Sequence, residues 1–494
     1  MNFAESVKNT TDTKLTENGA VAYSTRGNAL TDLFAQIGAL RPRAAHEIAD
    51  KFAAAFAAYP LLATKMLFYA GNVRGGLGER RTFRICLKWL ADNHPDIVKK
   101  NIGLIPYFNR WDSIFTLINT PAEEEMWKVV ADQLNTDMAA VVAFKNSEVP
   151  QSISLLAKWM PSETASSAQT RLVARRAIRK LGLPPRSYRK MLSALRKHLK
   201  VVEASMSAGD WKNIEYSQVP SYAMKNYYKA FNRHDPAGFA EYSGSLVKGE
   251  AKINASTLFP YDLVAKYLHG RRCVADTIVE AQWNALPNYV EGENNILVMA
   301  DVSGSMTWNG GRPMDTSVGL ATYFAQRNKG VYHNLYMSFS ESPSFITLRE
   351  GCTLAEAVRT LTTTDVGYNT DLEKAFIRIL KHALANEVPD AEMPKALVVI
   401  SDMEIDRYIR TRGVDFVDEM KKRFADCGYS FPKLVLWNVE ARNDTFLTKS
   451  SDVIVVSGQS ASTFRELCRN IDGKTAWEMM IDTLSNPMYD CVTI

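Results

Sequence analysis

The sequence predicts an α + α/β fold, in which an all-helical N-terminal region precedes a doubly wound domain with a parallel sheet. Up to about residue 285, apolar residues recur at the three- and four-residue spacing of amphipathic helices. After residue 290, short apolar runs typical of buried strands alternate with helical segments, as in a parallel sheet covered on both faces. The length of 494 residues, 46% of them hydrophobic and 23% charged, suits a globular protein of two or three domains.

Helical periodicity dominates the N-terminal part of the chain. Examples are RTFRICLKWLADNHPDIVKKNIGLI and EEEMWKVVADQLNTDMAAVVAFK, which contain few runs typical of strands. A helical region of this length indicates stacked helix pairs, a HEAT-like α-solenoid, although no clear repeat is visible. We assign residues 26–288 to this helical-repeat domain and the polar residues 1–25 to a flexible segment.

Signals for secretion or membrane insertion are missing from the sequence. The N-terminus has no basic start followed by an apolar core, so we expect no signal peptide. The stretch FAAAFAAYPLLATKMLFYAG is broken by Pro60 and Lys65 and predicts two packed helices rather than a membrane span. The six cysteines are far apart, which argues against a zinc site or a disulfide framework. We expect a cytoplasmic protein with no membrane partner.

The C-terminal part, residues 289–494, is predicted to alternate strands with helices. The predicted strands are NILVMAD, YHNLYMSFS, SFITL, KALVVISD, KLVLWNV and DVIVVSG. The predicted helices are TSVGLATYFAQRN, DLEKAFIRILKHALA, VDFVDEMKKRFADC and STFRELCRN. Ligands of doubly wound sheets bind outside the carboxyl ends of the strands, and the first predicted strand ends there with Asp301.

The segment DVSGSM combines oxygen-bearing side chains at alternate positions. Asp301, Ser303 and Ser305 can therefore point to one spot from an extended turn. Thr370 precedes a predicted helix, and Asp402 ends another strand of the same predicted sheet. Carboxylate and hydroxyl oxygens form a hard donor set that suits Mg²⁺ or a similar ion, so we predict a metal site from these five residues.

Each of these donors has a structural alternative. Thr370 with Glu373 forms a T-x-x-E pattern, so its hydroxyl could cap the helix instead of binding metal. The two serines could belong to an ordinary polar turn. Glu404 and Asp406 follow Asp402 closely, and we expect them to be exposed or to hydrogen-bond a ligand residue rather than to bind metal directly.

Together these residues resemble the metal-ion-dependent adhesion site (MIDAS) of the von Willebrand factor A fold. The resemblance implies one Mg²⁺ or Mn²⁺ bound directly by Ser303 and Ser305, with Thr370, Asp301 and Asp402 bound directly or through water. One coordination position would stay open for an acidic oxygen of a partner. The order of the two parts resembles the Ro ribonucleoprotein (TROVE) architecture, in which helical repeats form a ring closed by the A domain.

Nearly the whole chain also resembles a poorly characterised family of A-domain proteins from viruses, bacteria and plants. The phrases that carry this resemblance are RGGLGERRTFR, RWDSIF, LAKWMPSE, YRKMLSALRKHLKVVE and GEAKINASTLFP. The Ro resemblance is specific in the A domain, at SDMEI and NTDLEKA, and rests on architecture elsewhere. It implies binding of structured small RNAs or of single-stranded RNA 3′ ends, in the host cytoplasm if the chain is viral.

A basic block contrasts with the low net charge of +5. Between residues 171 and 200 no acidic residue occurs, and apolar positions predict two amphipathic helices joined at GLPP. A solvated face is the alternative, but such faces usually mix charges, so we predict contacts with RNA phosphates. The predicted RNA-binding residues of this basic hairpin are Arg171, Arg175, Arg176, Arg179, Lys180, Arg186, Arg189, Lys190, Arg196, Lys197 and Lys200.

A second candidate for RNA binding is the segment RGGLGERR. Its residues Arg74, Arg80, Arg81 and Arg84 surround glycines that would let the backbone approach phosphates closely. The alternative is a turn between helices whose arginines pair with Glu79 and its neighbours.

Three functions are compatible with these features. The first is a non-catalytic RNA-binding ring or scaffold with a Mg²⁺ site, for which we assign no catalytic residue. The second is a protein-interaction module whose metal captures a partner's carboxylate. The third is a metal-dependent nuclease using Asp301, Asp402, Glu404 and Asp406, against which the hydroxyl-rich donor set argues, because nucleases usually cluster carboxylates around two metal ions.

Overall fold

The computed structural model describes residues 13–15, 21–147, 152–270, 273–340, 342–363, 370–404, 416–443, 445–448, 450, 452–471 and 473–494. It confirms the predicted fold class, because helices fill the N-terminal region and a mixed sheet with flanking helices forms the C-terminal part. Strands β1 (Thr13–Leu15) and β2 (Val21–Tyr23) form a small antiparallel pair. Tyr23 also exchanges two backbone hydrogen bonds of 2.7 Å with Phe446. The end of the segment that was expected to be flexible is therefore held by the C-terminal domain.

Helices of the N-terminal region begin where the sequence signals a start. Pro60, Pro95, Pro185, Pro236 and Pro260 each take the first position of a helix, where a missing N–H leaves no hydrogen bond unmade. Pro60 thus separates the two packed helices that the sequence predicts. The helices are α1 (Ala29–Gln36), α2 (Ala45–Ala58), α3 (Pro60–Gly71), α4 (Arg80–Asn93), α5 (Pro95–Asn101), α6 (Leu104–Phe108), α7 (Glu123–Ser147), α8 (Leu156–Trp159), α9 (Ala168–Lys180), α10 (Pro185–His198), α11 (Val202–Ser207), α12 (Ser221–His234), α13 (Pro236–Lys248), α14 (Pro260–Leu268) and α15 (Thr277–Asn284).

Strands and helices of the C-terminal part match the predicted segments. The strands are β3 (Ile296–Asp301), β4 (Leu335–Phe339), β5 (Phe345–Thr347), β6 (Ala396–Ser401), β7 (Lys433–Asn438) and β8 (Ile454–Ser457). The helices are α16 (Arg312–Arg327), α17 (Leu354–Thr363), α18 (Leu372–Ala385), α19 (Phe416–Asp426), α20 (Thr463–Asn470) and α21 (Ala476–Leu484). Helices α17 and α21 have no counterpart among the predicted segments.

The described strands β3–β8 form one sheet in the order β5-β4-β3-β6-β7-β8. All neighbours run parallel except β5, which pairs antiparallel with β4. Only a few residues link β4 to β5, and so short a connection permits a hairpin but not a parallel crossover. The sheet is therefore parallel, as predicted, with an antiparallel edge strand.

Alternate residues of β3 serve the two faces of the sheet. Ile296, Val298 and Ala300 join an apolar core that includes α16 and α17, whereas Leu297 and Met299 join a second core with α18 and α19. This alternation explains the fully apolar strand, because both faces are covered. The carboxyl ends of β3 and β6 then meet at one edge of the sheet.

The helical region packs against the C-terminal domain at its beginning and at its end. Helix α1 packs on β8, and α14 packs on α16. At the first of these contacts a Cβ atom on Gly38 would lie 2.6 Å from the Cα atom of Gly458, so the two backbones touch. The core around α16 continues into the N-terminal helices without a gap. The two parts of the chain therefore share a core.

Candidate metal site and basic surfaces

The candidate metal site begins at the carboxyl end of β3. Asp301 is fully buried, and its Oδ1 accepts a 2.9 Å hydrogen bond from the backbone N–H of Ser303. Its Oδ2 accepts a 2.5 Å bond from the Ser401 hydroxyl, at the end of neighbouring β6. The hydroxyl oxygens of Ser303 and Ser305 are 3.1 Å apart. The segment DVSGSM therefore gathers its oxygens as the sequence predicts.

Asp402 and Thr370 belong to the same hydrogen-bond network. Asp402 Oδ1 accepts a 3.2 Å bond from the backbone N–H of Glu404, and the Thr370 hydroxyl donates to the Glu404 carbonyl at 3.3 Å. Both side chains are buried. Helix α18 is capped by Asp371, whose carboxylate accepts from the N–H of Lys374, so the capping-box alternative for Thr370 is wrong. All five predicted ligands thus lie at one edge of the sheet.

Burial gives the two aspartates an electrostatic cost. Burial first, and then the negative charge of Asp402, raise the pKa of Asp301 above its ordinary value, although hydrogen bonds from Ser303 and Ser401 act in the opposite direction. A cation between the two carboxylates would remove this repulsion. Two carboxylates and three hydroxyls form a hard oxygen donor set, so these residues fit Mg²⁺, and the metal itself stays a prediction.

Arg442 is a residue of this site that the sequence analysis missed. It forms an ion pair with Oδ2 of Asp402, and its guanidinium carbon lies 5.6 Å from the ring centroid of exposed Trp308. Arg442 follows β7, the strand next to β6, so its position at the same sheet edge is the signal that could have identified it. The Arg442 guanidinium therefore contacts Oδ2, one of the two oxygens of the Asp402 carboxylate.

Glu404 and Asp406 are two further acids that follow Asp402 in the sequence. Glu404 is buried rather than exposed, and its Oε1 accepts a 2.9 Å bond from the Asn443 amide. Asp406 lies outside the described residues. Among the residues that are described, no group of three or more His, Cys, Asp and Glu side chains has the arrangement of a metal site.

Part of the basic hairpin α9–α10 is neutralised by acids from other elements. Arg176 makes two hydrogen bonds to Glu123 at 2.6 and 2.5 Å, and Lys180 pairs with Glu124. Arg189 pairs with Glu163 and Lys200 with Glu215. Arg171 and Arg196 instead donate to backbone carbonyls. Six of the eleven predicted RNA-binding residues therefore have partners within the protein.

The other five basic residues of the hairpin are exposed and have no hydrogen-bond or ion-pair partner within the described part of the chain. They are Arg175, Arg179, Arg186, Lys190 and Lys197. Arg175 and Arg179 are four residues apart on α9, and Arg186, Lys190 and Lys197 are four and seven residues apart on α10, so each group lies along one helix face. We call this set the open basic surface. No described acid neutralises the positive charges of this surface.

None of the described arginines of RGGLGERR hydrogen-bonds Glu79, although the charge of Arg80 interacts with it. Glu79 is buried and makes a two-bond ion pair with Arg41. Arg74 donates to the carbonyl of Tyr107, and Arg81 donates to backbone carbonyls of the loop before α2. Arg84 pairs with Asp112 at 2.8 Å. The Arg80 side chain makes no hydrogen bond or ion pair among the described residues.

The glycines of this segment serve close packing. A Cβ atom on Gly76 would lie 2.1 Å from the carbonyl oxygen of Tyr69. Gly78 has a positive φ of 64°, and a Cβ there would lie 2.7 Å from the ring of Phe259. The packing of the turn therefore accounts for both glycines without a bound phosphate.

No described helix combines the length and the hydropathy that are needed to cross a membrane. The cysteines form no disulfide among the described residues.

The chain is similar to two families of unknown function, to a solved structure and to a viral protein. A family described as a domain of unknown function (DUF7788) matches residues 295–479, and another (DUF2828) matches residues 16–108 and 185–295. The crystal structure of the Ro (RSR) protein of Deinococcus radiodurans is similar over 90% of this chain and 100% of that chain, with 17% identity and a TM-score of 0.47. The uncharacterized protein L728 of Acanthamoeba polyphaga mimivirus is 30% identical over 486 residues, which cover 91% of this chain and 83% of that protein. The chain therefore belongs to the protein family that includes mimivirus protein L728.

Proposed function

We propose that this protein is a non-catalytic RNA-binding scaffold that holds RNA phosphates on the open basic surface of α9 and α10. The observation that carries the proposal is the set of five exposed cations, on two adjacent helices, that no described acid neutralises. Folding gains little from such a set, because like charges repel. Such a set favours the binding of a polyanion, since each neutralised phosphate releases a counterion. A structured small RNA with a single-stranded 3′ end is the ligand that we expect.

The test is RNA binding across a salt series, measured by fluorescence anisotropy of a labelled hairpin RNA with a single-stranded 3′ tail. One variant changes the five residues of the open basic surface to Gln. A matched control changes five surface lysines that have nearby acidic partners, four of them exposed and one half-buried, to Gln. They are Lys88, Lys99, Lys128, Lys374 and the half-buried Lys421. Both variants lose the same charge.

We expect the first variant to lose most of its affinity and the control to keep it. Each lost phosphate contact lowers the magnitude of the salt slope by about 0.7–0.9. Equal losses in the two variants would mean that only net charge matters, and the open basic surface would then have no specific role. Arg176 is left unchanged, because its ion pair with Glu123 belongs to the fold.

We further propose that Mg²⁺ or Mn²⁺ binds at the carboxyl edge of the sheet, held by Ser303, Ser305, Thr370, Asp301 and Asp402. The proposal is supported by the hydrogen-bond network that gathers these oxygens and by the two buried carboxylates beside each other. A bound metal with an open position would attract an acidic oxygen. That oxygen belongs to an RNA phosphate in the scaffold proposal, and to a partner's Asp or Glu in the alternative of a protein-interaction module.

Mn²⁺ binding, followed by electron paramagnetic resonance, tests this site directly. We expect the Ser303→Ala/Ser305→Ala double variant to bind Mn²⁺ at least tenfold more weakly than the wild type. Thr307→Ala is the control, because this exposed hydroxyl of the same loop donates to the Gly304 carbonyl and is not among the proposed ligands. Unchanged affinity in the double variant would refute the site. Incubating RNA with the Mg²⁺-loaded protein tests the nuclease alternative, and we expect no cleavage.

A further inference from the structure

Two separate segments bring three arginines together at the start of α4. Arg80 and Arg84 lie one turn apart on this helix, and Arg110 comes from the loop after α6. Arg110 makes two hydrogen bonds to Asp112, at 2.9 and 2.5 Å, and Arg84 donates to the same carboxylate at 2.8 Å. The guanidinium of Arg110 also lies 4.1 Å from the ring centroid of Trp159 in α8. Arg84 and Arg110 are therefore held in place.

The charges of this arginine cluster, Arg80, Arg84 and Arg110, do not balance. Three guanidinium groups share the one carboxylate of Asp112, which leaves two positive charges. The side chain of Arg80 is exposed and makes no hydrogen bond or ion pair within the described residues. Partial loss of water around the Arg80 guanidinium, and then repulsion from Arg110, lower the pKa of Arg80, although Tyr222 and Asp112 oppose the shift.

Two acids beside the cluster already have cationic partners. The charge of Glu79 interacts with that of Arg80, but Glu79 accepts two hydrogen bonds from Arg41. Tyr222 also faces Arg80, but its hydroxyl donates to Asp262 at 2.6 Å. The carboxylate of Asp262 is itself neutralised by Lys225, at 2.5 Å. The cluster therefore keeps its excess positive charge even when the next side chains are included.

The helix adds to this imbalance. Arg80 is the first residue of α4, whose first turn contains no acidic residue, so its charge adds to the positive end of the helix dipole. Like charges at positions i and i+4, as in Arg80 and Arg84, also destabilise a helix. An anion in front of this turn would offset each of these costs.

We propose that the arginine cluster binds a phosphate group of an RNA strand. Guanidinium groups bind phosphate oxygens through paired, charge-assisted hydrogen bonds, and two of the three here are already fixed in position. Arg80 is the residue that the ligand would recruit. This inference rests on the proposed RNA binding for its ligand, and it adds a second contact that is separate from the open basic surface.

The test compares Arg80→Gln with Lys88→Gln in the full chain, using the RNA and the salt series described above. Both changes remove one exposed charge from α4, but Lys88 pairs with Asp92 and lies away from the cluster. We expect Arg80→Gln to weaken RNA binding about five- to tenfold and to lower the salt slope by about one, whereas Lys88→Gln stays within twofold of the wild type. Because Arg80 has no partner in the fold, its replacement should not lower the melting temperature.

Inorganic phosphate at constant ionic strength distinguishes the source of the phosphate. If phosphate raises the melting temperature of the wild type but Arg80→Gln leaves RNA binding unchanged, the site holds free phosphate and the inference is wrong. Equal effects of the two substitutions on RNA would overturn the inference and leave the proposed function intact. A wild type without affinity for RNA would overturn both.

Discussion

At the carboxyl edge of the sheet, the negative charges of two buried residues, Asp301 and Asp402, act on each other, and Arg442 pairs with the second of them. The position of the two aspartates after apolar runs predicted the edge of the sheet at which they lie, and the structure brings them together there. The position of Arg442 after β7 points to the same sheet edge, but its ion pair with Asp402 could not be predicted, because that contact depends on how the loop after β7 folds back. Asp371 caps α18 in place of Thr370, because the helix begins one residue later than the T-x-x-E pattern predicts. Local sequence does not fix a helix start to a single residue.

Asp315 should give the stability of the protein a measurable dependence on pH. Burial raises the pKa of this carboxyl from 3.8 to about 6, although a hydrogen bond from His269 opposes the shift. The folded state therefore holds the proton more tightly than the unfolded state, and stability falls as the pH rises from about 4 to 6. Asp315→Asn removes this contribution.

We expect the stability of Asp315→Asn relative to wild type to increase by about 1–2 kcal/mol between pH 4 and pH 7. Urea denaturation at the two pH values measures this difference. Parallel stability profiles for the two proteins would show that the Asp315 carboxyl does not change its protonation in this range.

At the scale of an element, local sequence predicted the helices of the basic hairpin but not their ion pairs. Apolar spacing and the GLPP turn correctly predicted two helices, which the structure places at α9 and α10. The acids that neutralise part of the hairpin could not be foreseen, because Glu123 and Glu124 belong to α7, about fifty residues earlier in the chain. Only the tertiary structure separates the cations that serve the fold from those of the open basic surface.

Two adjacent arginines of α9 should therefore differ in their effect on stability. Arg176 makes two bonds to Glu123, a buried acid that also accepts from the Trp127 indole, whereas exposed Arg175 has no such partner. We expect Arg176→Gln to lower the free energy of unfolding by about 1–3 kcal/mol and Arg175→Gln to change it by less than about 0.5 kcal/mol. Chemical denaturation of both variants measures this, and equal values would contradict the assignment.

At the scale of the whole molecule, the sequence predicted two parts but not their shared core. Alternating strands and helices were enough to predict the sheet, whereas the antiparallel direction of β5 follows from its short connection to β4. The packing of α1 on β8 joins residues more than 400 positions apart, and that of α14 on α16 joins residues about fifty positions apart. Local periodicity carries no information on such contacts.

A substitution at Gly38 tests the close contact between the end of α1 and the end of β8. A methyl group on Gly38 would lie 2.6 Å from backbone atoms of Ser457 and Gly458, which cannot move aside as a flexible side chain could. We expect Gly38→Ala to destabilise the protein by about 1–3 kcal/mol. Gly244→Ala is the control, since Gly244 lies in helix α13 with open space around it, and should stabilise by about 0.5–1 kcal/mol. Thermal denaturation measures the melting temperature of both variants. A Gly38→Ala variant with the melting temperature of the wild type would disprove the close contact.

The packing of the chain's last residues on its first helices has a consequence for synthesis on the ribosome. Tyr489 is buried against Phe108 and Tyr69, with ring centroids 5.3 and 6.2 Å apart, and its hydroxyl accepts from the Asn72 amide. Helix α21 covers α1 and α3 in the same region. At about 5–20 residues per second, the ribosome adds these covering residues tens of seconds after the helices have emerged. During that interval the nascent chain exposes an apolar surface that only its own C-terminal residues can cover.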